Sequence, residues 1–281
     1  MSTLVTDPWH AAAGTSPSGR SRVTVQPVTF ARVLRSEWIK MRSLRSTTLT
    51  LAAAIGTIVA AGLIIGVVTT HYWSTLRPDE MAAFNPVERS LVGYNLAQLA
   101  VGVLGVLLVS GEYATGMIRA TLTAVPRRLP VLWAKAALYA AVTFVLMLVA
   151  ALAAFLGGQA LLGTHGTTLS APGARQAVLG VAVYLTLVGV IAVALGFILR
   201  STAGGVATLF GLLMVVPGLG LLLPSSWHQV LSYLPSNAGV SMISTHLAAG
   251  NLSPTAGLLV LVAWAVAALG CAAVLLKRRD A

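Results

Sequence analysis

Five long stretches of this chain contain no Asp, Glu, Lys or Arg, and they restrict its fold more than any other feature. The longest covers 76 residues, from Ser201 to Leu276. The other four hold between 22 and 39 residues and cover Ser46–Leu76, Ser90–Gly111, Ala136–Ala174 and Gln176–Leu199. A helix that crosses about 30 Å of hydrocarbon needs about 20 apolar residues. Each of the four shorter stretches therefore accommodates one span, and the longest accommodates two.

The composition excludes the soluble alternatives. Only 9% of the 281 residues are charged, whereas 57% are hydrophobic. An ordinary soluble domain contains about 25% charged residues, so this chain is neither a soluble globular domain nor a disordered chain or coiled coil. Its single Cys excludes a disulfide framework within the chain and a Cys-based zinc site.

We therefore predict an all-α polytopic membrane protein with six transmembrane helices. Every backbone polar group in lipid must be satisfied within its own span, and the alternating pattern of a β-barrel is missing from the sequence. Ser253-Pro254 is a typical start for the sixth helix, Pro217 is expected to kink the fifth, and Pro224 follows its end. The predicted spans are Leu49–Thr70, Leu91–Ser110, Ala136–Leu162, Gln176–Leu199, Ala203–Leu223 and Pro254–Leu276.

The distribution of Lys and Arg predicts the orientation. Of the 18 basic residues, 15 lie in the two terminal segments and in the loops after the second and fourth spans, and three lie in the alternate loops. This strong positive-inside signal places both termini in the cytoplasm and the protein in the cell membrane. Nucleic-acid binding is a poor explanation of the net charge of +11, because the basic residues are spread over four segments that flank spans. Residues 1–28 lack a secretory signal and are predicted to be a disordered cytoplasmic tail, followed by one membrane domain over 29–281.

The segment before the first span, residues 29–45, is predicted to be an amphipathic helix in the cytoplasmic interface. Its apolar face contains Phe30, Val33, Leu34, Trp38, Met41 and Leu44. Glu37 projects near the middle of that face, where a carboxylate is costly unless it is paired. Two explanations stay open: a local ion pair with Lys40, three residues further on, or burial of Glu37 against protein, either a partner subunit or the next cytoplasmic loop.

The loop from Gly111 to Lys135 is predicted to contain a short amphipathic helix. Ile118, Leu122 and Val125 recur at helical spacing and Pro126 ends the pattern. Glu112 is expected near the start of this helix, where a negative charge is favourable. The alternative is a surface loop that its charges anchor.

These two segments and the six-span plan together resemble the ABC-2 type transporter permeases, in particular small bacterial permease subunits whose ATPase is a separate chain. The resemblance covers residues 30–279, and its most specific part is the loop sequence GEYATGMIRATLTAVPRRLPVLWAK. It implies that the pre-membrane helix and a coupling helix between spans 2 and 3 form the surface that binds the ATPase. It assigns Glu37 and Lys40 to the interface helix, and Glu112, Tyr113, Thr115, Gly116 and Arg119 to the coupling helix. It also implies a smaller contact at Arg200 and short external helices between spans 5 and 6, where Trp227, Leu231 and Leu234 have helical spacing.

The function that the resemblance implies is ATP-driven export of a hydrophobic or amphiphilic cargo such as a drug, a peptide or a lipid. The partners would be a cytoplasmic ABC ATPase, a second permease copy and membrane lipid. The sequence has no G-x-x-x-x-G-K-[ST] motif, so ATP and Mg²⁺ are expected on the partner rather than on this chain. We expect no catalytic residue, cofactor or metal in the chain itself.

Two other function classes stay open. A stand-alone secondary transporter or channel would work without an ATPase, although the spans lack the carboxylate that proton coupling usually needs. A lipid-modifying membrane enzyme would depend on polar residues near the outer interface, such as His165, His228 or Asn237.

Overall fold

A computed structural model describes residues 28–246 and 252–279, and within these residues the chain is all-α, with thirteen α-helices and no strand. The tail predicted over 1–28 lies outside the described residues, apart from Val28. The helices are α1 (Phe30–Ser43), α2 (Arg45–Tyr72), α3 (Pro78–Ala82), α4 (Pro86–Leu91), α5 (Tyr94–Ala114), α6 (Met117–Ala124), α7 (Leu129–Leu162), α8 (Ala174–Leu199), α9 (Thr202–Phe210), α10 (Val216–Gly220), α11 (His228–Leu231), α12 (Pro235–Ile243) and α13 (Pro254–Arg278).

Six segments are long and apolar enough to cross a membrane, which confirms the predicted number of spans. They are Arg45–Thr75, Pro86–Ala114, Leu129–His165, Ala174–Leu199, Thr202–Gly220 and Pro254–Arg278. Each overlaps the predicted span of the same rank, and most extend further because a helix continues through the polar residues that border its apolar stretch.

The fourth span, α8, is the most deeply buried of the six and forms the centre of the bundle. It packs against α5, α7 and α13. Small residues allow this close packing: a Cβ on Gly189 would lie 2.5 Å from Tyr139 Cε1, and a Cβ on Gly105 would lie 2.7 Å from the Gly189 carbonyl oxygen. The helices around α8 expose apolar side chains on their outer surfaces.

Two spans contain irregularities. The second is divided into α4 and α5 at Gly93, where a Cβ would lie 2.6 Å from Ile58 Cα of the first span. The fifth consists of α9, a π-helical turn at Gly211–Val215 and α10, so the irregularity expected at Pro217 takes the form of a π-turn directly before it. This span ends at Gly220, not at Leu223 as predicted, because the amides of residues 221–223 bond three residues back in tight turns instead of continuing the α-helical ladder.

The sixth span begins at Pro254 as predicted, and Ser253 Oγ accepts a hydrogen bond of 3.2 Å from Ala256 N. The segment between the fifth and sixth spans contains the short helices α11 and α12. The spacing of Trp227, Leu231 and Leu234 does not produce one continuous helix, because Pro235 begins a new helix directly after them.

The two helices that were predicted to be amphipathic, α1 and α6, lie at one end of the bundle. In α6, Ile118 and Leu122 are buried, and so is Val125 directly after it, so the segment is a packed helix rather than a surface loop. The buried face of α1 is narrower than predicted and consists of Val33, Glu37 and Met41.

Candidate functional site

Two lysines and two glutamates form a cluster at the end of the bundle that carries α1 and α6. Lys135 Nζ lies 2.6 Å from Glu37 Oε2 and 3.0 Å from Glu112 Oε1. Lys40 Nζ lies 2.8 Å from Glu37 Oε1 and 3.1 Å from Glu112 Oε1. Each lysine therefore binds both carboxylates, and we call Glu37, Lys40, Glu112 and Lys135 the four-charge cluster.

The cluster joins three helices that are far apart in the sequence. Glu37 and Lys40 are three residues apart on α1 and so point to the same side of that helix. Glu112 lies in the last turn of α5, and Lys135 lies two turns after the start of α7. Glu37 makes the local ion pair with Lys40, and its carboxylate is also buried against Lys135 at the end of the loop after the second span, whereas a contact with a partner subunit stays a prediction.

Burial makes these ion pairs strong structural constraints. The side chains of Glu37, Glu112 and Lys135 are 3–5% exposed, whereas that of Lys40 is 23% exposed. A buried charge that loses its partner is strongly destabilising. Any movement of α1 away from α5 and α7 would separate these charges, so the three helices are constrained to move together.

The pKa values of Glu37 and Lys40, which precede the first span, reflect the same ion pairs. Burial alone would raise the pKa of Glu37, but the charge and hydrogen bonds of Lys135 and Lys40 outweigh burial and hold the pKa below its ordinary value of 4.5. Burial alone would lower the pKa of Lys40, yet its hydrogen bond to Glu37 and the charges of Glu37 and Glu112 raise that pKa above 10.5. Both side chains are thus held in their charged forms.

The position of Glu112 differs from the prediction. It belongs to the last turn of α5, not to the start of the short helix, which begins at Met117 after Gly116. A negative charge at a helix C-terminus is unfavourable with respect to the helix dipole. The two lysine contacts at Glu112 Oε1 offset that cost.

The cluster also fixes the position of α6. Glu112 and Lys135 border the loop that contains this helix, and their ion pair holds the two ends of the loop together. Lys40 Nζ donates a further hydrogen bond of 3.1 Å to Thr121 Oγ1 on α6. The helix is thereby attached to α1 through a side chain that also belongs to the cluster.

Three of the candidate residues face outward and do not take part in the cluster. Thr115, Gly116 and Arg119 are exposed at the end of α5 and the start of α6. Gly116 has φ 73°, a left-handed conformation that favours glycine, and it forms the sharp turn between the two helices. We call Thr115, Gly116 and Arg119 the exposed α6 face.

Arg200 connects the turn after α8 to the same region. Its guanidinium lies over the ring of Tyr113 at 5.1 Å from the centroid, and Nη2 lies 3.4 Å from the Arg279 carbonyl oxygen. Arg128 Nη1 donates to the same carbonyl at 3.1 Å, so the end of α13 is held here as well. Both Arg128 and Arg200 have positive φ angles, 52° and 54°, a strained conformation for a residue with a side chain.

Lys135 is the member of the cluster that was not predicted from the sequence as a site residue. A signal was present: Glu112 directly follows one charge-free stretch, and Lys135 directly precedes another. Two opposite charges at consecutive membrane edges on the same side of the bundle are natural partners.

Of the polar residues considered for a lipid-modifying enzyme, His165 and Asn237 have structural contacts at the opposite end, and His228 is exposed at the start of α11. The His165 ring stacks on Trp73 with centroids 3.8 Å apart, and Asn237 Nδ2 donates to the Leu231 carbonyl at 2.9 Å. Within residues 28–246 and 252–279, no group of three or more His, Cys, Asp or Glu side chains is arranged to hold a metal ion.

Comparison with known proteins gives one family match. A family model described as "ABC-2 family transporter protein" matches residues 33–218, which include the whole four-charge cluster, α6 and Arg200. None of the curated proteins matches the chain.

Proposed function

The chain belongs to the ABC-2 transporter family, and from this premise we propose that it is the permease subunit of an ATP-driven exporter whose ATPase is a separate polypeptide. Two copies of the permease would form the translocation path and bind two copies of the ATPase. The ATPase would hold ATP and Mg²⁺. The end of the bundle that carries α1 and α6 would face the cytoplasm, in the orientation that the positive-inside rule predicts.

The observation that carries this proposal is the four-charge cluster behind the exposed α6 face. A protein that pushes on Thr115, Gly116 and Arg119 would contact the short helix directly. The helix is attached to α1 through the Lys40–Thr121 hydrogen bond and to α5 and α7 through Glu112 and Lys135. The displacement would therefore reach two spans and the pre-membrane helix together.

The site residues thus divide into two roles. The exposed α6 face would contact the ATPase, whereas Glu37, Lys40 and Glu112 would act as positioning residues that transmit the movement. Tyr113 and Arg200 would transmit it to α8 and to the end of α13. Closure of the ATPase pair on ATP would then shift the two bundles between inward-open and outward-open states.

The cargo would be hydrophobic or amphiphilic and would move outward. The lack of Asp, Glu, Lys and Arg in the predicted spans supports the cargo class, and the family resemblance supports the direction. The chain itself would carry out no covalent chemistry.

The test is purification of the tagged chain from its native membranes in mild detergent, followed by mass spectrometry of the proteins that accompany it. We expect a near-stoichiometric soluble protein with a P-loop, and we expect the reconstituted pair to couple ATP hydrolysis to transport. Arg119→Ala should lower ATP-driven transport without lowering the amount of inserted protein. Arg77→Ala, which removes an exposed arginine from the segment between the first two spans, is the matched control. Transport by the chain alone, without any ATPase, would contradict the proposal.

A further inference from the structure

The helix α1 carries two rows of residues at four-residue spacing, and only one of them is buried. The row that packs against the bundle consists of Val33, Glu37 and Met41. The adjacent row is entirely apolar and consists of Phe30, Leu34 and Trp38. Phe30 is 50% exposed and Trp38 is 44% exposed, so the described part of the chain covers this second row only in part. We call Phe30, Leu34 and Trp38 the outer apolar row.

The position of α6 shows which way the outer apolar row faces. Lys40 donates to Thr121 of α6, so the Lys40 side of α1 faces the short helix between the second and third spans. Successive residues are about 100° apart around an α-helix, so Trp38 and Lys40, two positions apart, point in nearly opposite directions. Trp38 therefore faces away from α6. Because α1 ends at Ser43 and the first span begins at Arg45, this row lies at the depth where lipid headgroups meet hydrocarbon.

Two exposed arginines, Arg35 and Arg42, lie on the side of α1 that points away from the bundle. Arg35 is two positions before Glu37 and Arg42 is five positions after it, so both point away from the buried row, about 10 Å apart along the helix axis. No described carboxylate pairs with either guanidinium. The described acidic residues lie elsewhere, in the four-charge cluster or in α3 and α4 at the opposite end: Glu37, Glu112, Asp79, Glu80 and Glu88. This side of α1 is thus a positively charged surface without a counter-charge among the described residues.

We propose that this side of α1 binds anionic phospholipids, such as phosphatidylglycerol, in the adjacent leaflet. The guanidinium groups of Arg35 and Arg42 would bind headgroup phosphates, and the outer apolar row would insert where the acyl chains begin. The arrangement favours a lipid over a protein that binds at the exposed α6 face, because the outer apolar row is turned away from α6. The proposal does not depend on an ATPase partner or on transport.

The test measures quenching of Trp38 fluorescence in the full chain, reconstituted in vesicles of equal amounts of phosphatidylglycerol and phosphatidylcholine. Bromine atoms, which quench tryptophan at short range, are placed on the acyl chains of only one of the two lipids. The Trp38 signal is the difference between the wild type and Trp38→Phe. The two arginines should favour the anionic lipid by roughly thirtyfold, about fivefold each, so brominated phosphatidylglycerol should quench this signal more strongly than brominated phosphatidylcholine. Equal quenching by the two lipids would overturn the proposal.

Two double variants identify the residues that select the lipid. Arg35→Gln together with Arg42→Gln removes the headgroup contacts and keeps the outer apolar row, so the excess quenching by brominated phosphatidylglycerol should disappear. Arg127→Gln together with Arg278→Gln removes the same charge from two exposed positions outside α1 at the same end of the bundle, and should keep the excess. Each double variant is measured with and without Trp38→Phe, so that the Trp38 signal is isolated in both.

Three further outcomes would overturn the assignment. Excess quenching that survives the loss of Arg35 and Arg42 would exclude these arginines as headgroup ligands. An equal loss in the control with Arg127 and Arg278 replaced would show that the net charge of the protein, rather than α1, attracts the lipid. Equal quenching by the two lipids, together with a soluble protein that accompanies the wild type but not the variant without Arg35 and Arg42, would assign this side of α1 to a protein partner.

Discussion

Lys135 Nζ lies 2.6 Å from Glu37 Oε2, although the two residues are 98 positions apart in the sequence. This contact attaches the helix that precedes the first span to the start of the third span. The same Nζ atom is 3.0 Å from Glu112 Oε1 at the end of the second span. One ammonium group therefore links α1, α5 and α7.

Replacement of this lysine should destabilise the protein strongly. Lys135→Met leaves two buried carboxylates with only Lys40 to neutralise them. We therefore expect the free energy of unfolding to fall by about 3–5 kcal/mol, the range for breaking a buried ion pair. The measurement is the thermal unfolding midpoint in detergent. Lys277→Met removes a lysine that is exposed at the end of α13 and should leave the midpoint almost unchanged.

The double variant provides a second check on the same contact. Glu37→Gln together with Lys135→Met restores charge balance between Lys40 and Glu112, and should recover part of the stability that Lys135→Met loses. If Lys135→Met alone were as stable as the wild type, the cluster would have no structural importance.

The hydrogen bond between Lys40 and Thr121 should matter more for coupling than for stability. Thr121→Val removes the hydroxyl that attaches α6 to the cluster, and we expect a loss of about 1 kcal/mol in stability. The rate of ATP-driven transport should fall by more than the loss of folded protein that this decrease in stability would cause. Thr123→Val is the matched control, because within the described part of the chain its hydroxyl donates only to the Arg119 carbonyl, at 2.8 Å on the same helix. Equal transport defects in the two variants would argue against the Lys40–Thr121 contact as a coupling element.

The stacking of Arg200 on Tyr113 should stabilise the contact between α8 and α5. Tyr113→Leu removes the ring beneath the guanidinium, and we expect a loss of about 0.5–2 kcal/mol, the range for a cation–π interaction. Tyr113→Phe keeps the ring and should cost less. Chemical or thermal unfolding of the two variants measures the difference, and an equal cost would assign the effect to the hydroxyl instead of the ring.

The attachment of α1 should not depend on pH in the neutral range. The lowered pKa of Glu37 means that its contribution is complete above 4.5 and is lost only as the pH falls through the lowered value. The raised pKa of Lys40 means that its contribution is complete below 10.5 and is lost only as the pH rises through the raised value. Between these limits, α1 should stay bound to α7.

Cysteine accessibility measures this attachment. In a Cys271→Ser background, Val33→Cys lies on the buried face of α1 and Ile39→Cys lies on the same helix at a position that is 57% exposed. The labelling rate at position 33 is divided by the rate at position 39. This ratio cancels the pH dependence of the thiol chemistry, which is common to both positions. The ratio should stay constant at neutral pH and rise in strong acid; a rise already near pH 6, about where His titrates, would contradict the cluster geometry.

The sequence was sufficient to predict the six spans because exclusion of charge from hydrocarbon is a strong and local constraint. It was not sufficient to predict the break at Gly93 or the π-helical form of the irregularity near Pro217. Hydropathy averages over the side chains of a window, whereas the break at Gly93 lies where the backbone of the first span packs against the helix.

The candidate site was predictable in part for the same reason. Glu37 was identified because a carboxylate on an apolar helix face must find a partner, and Lys40 was the neighbour within reach in sequence. Lys135 could not be selected in this way, since its contact with Glu37 depends on how α1 packs against α7. The buried state of Glu112 depends on the same packing.

The most direct test of the account is site-specific photo-cross-linking in native membranes from a benzoyl-phenylalanine at position 119, on the exposed α6 face. The matched control places the same group at Leu259, which is 69% exposed on the outer surface of α13. We predict that position 119 cross-links to a soluble protein with a P-loop and that position 259 does not. If no P-loop protein were linked to position 119, even though the chain is inserted and folded, α6 would not be the site at which an ATPase binds.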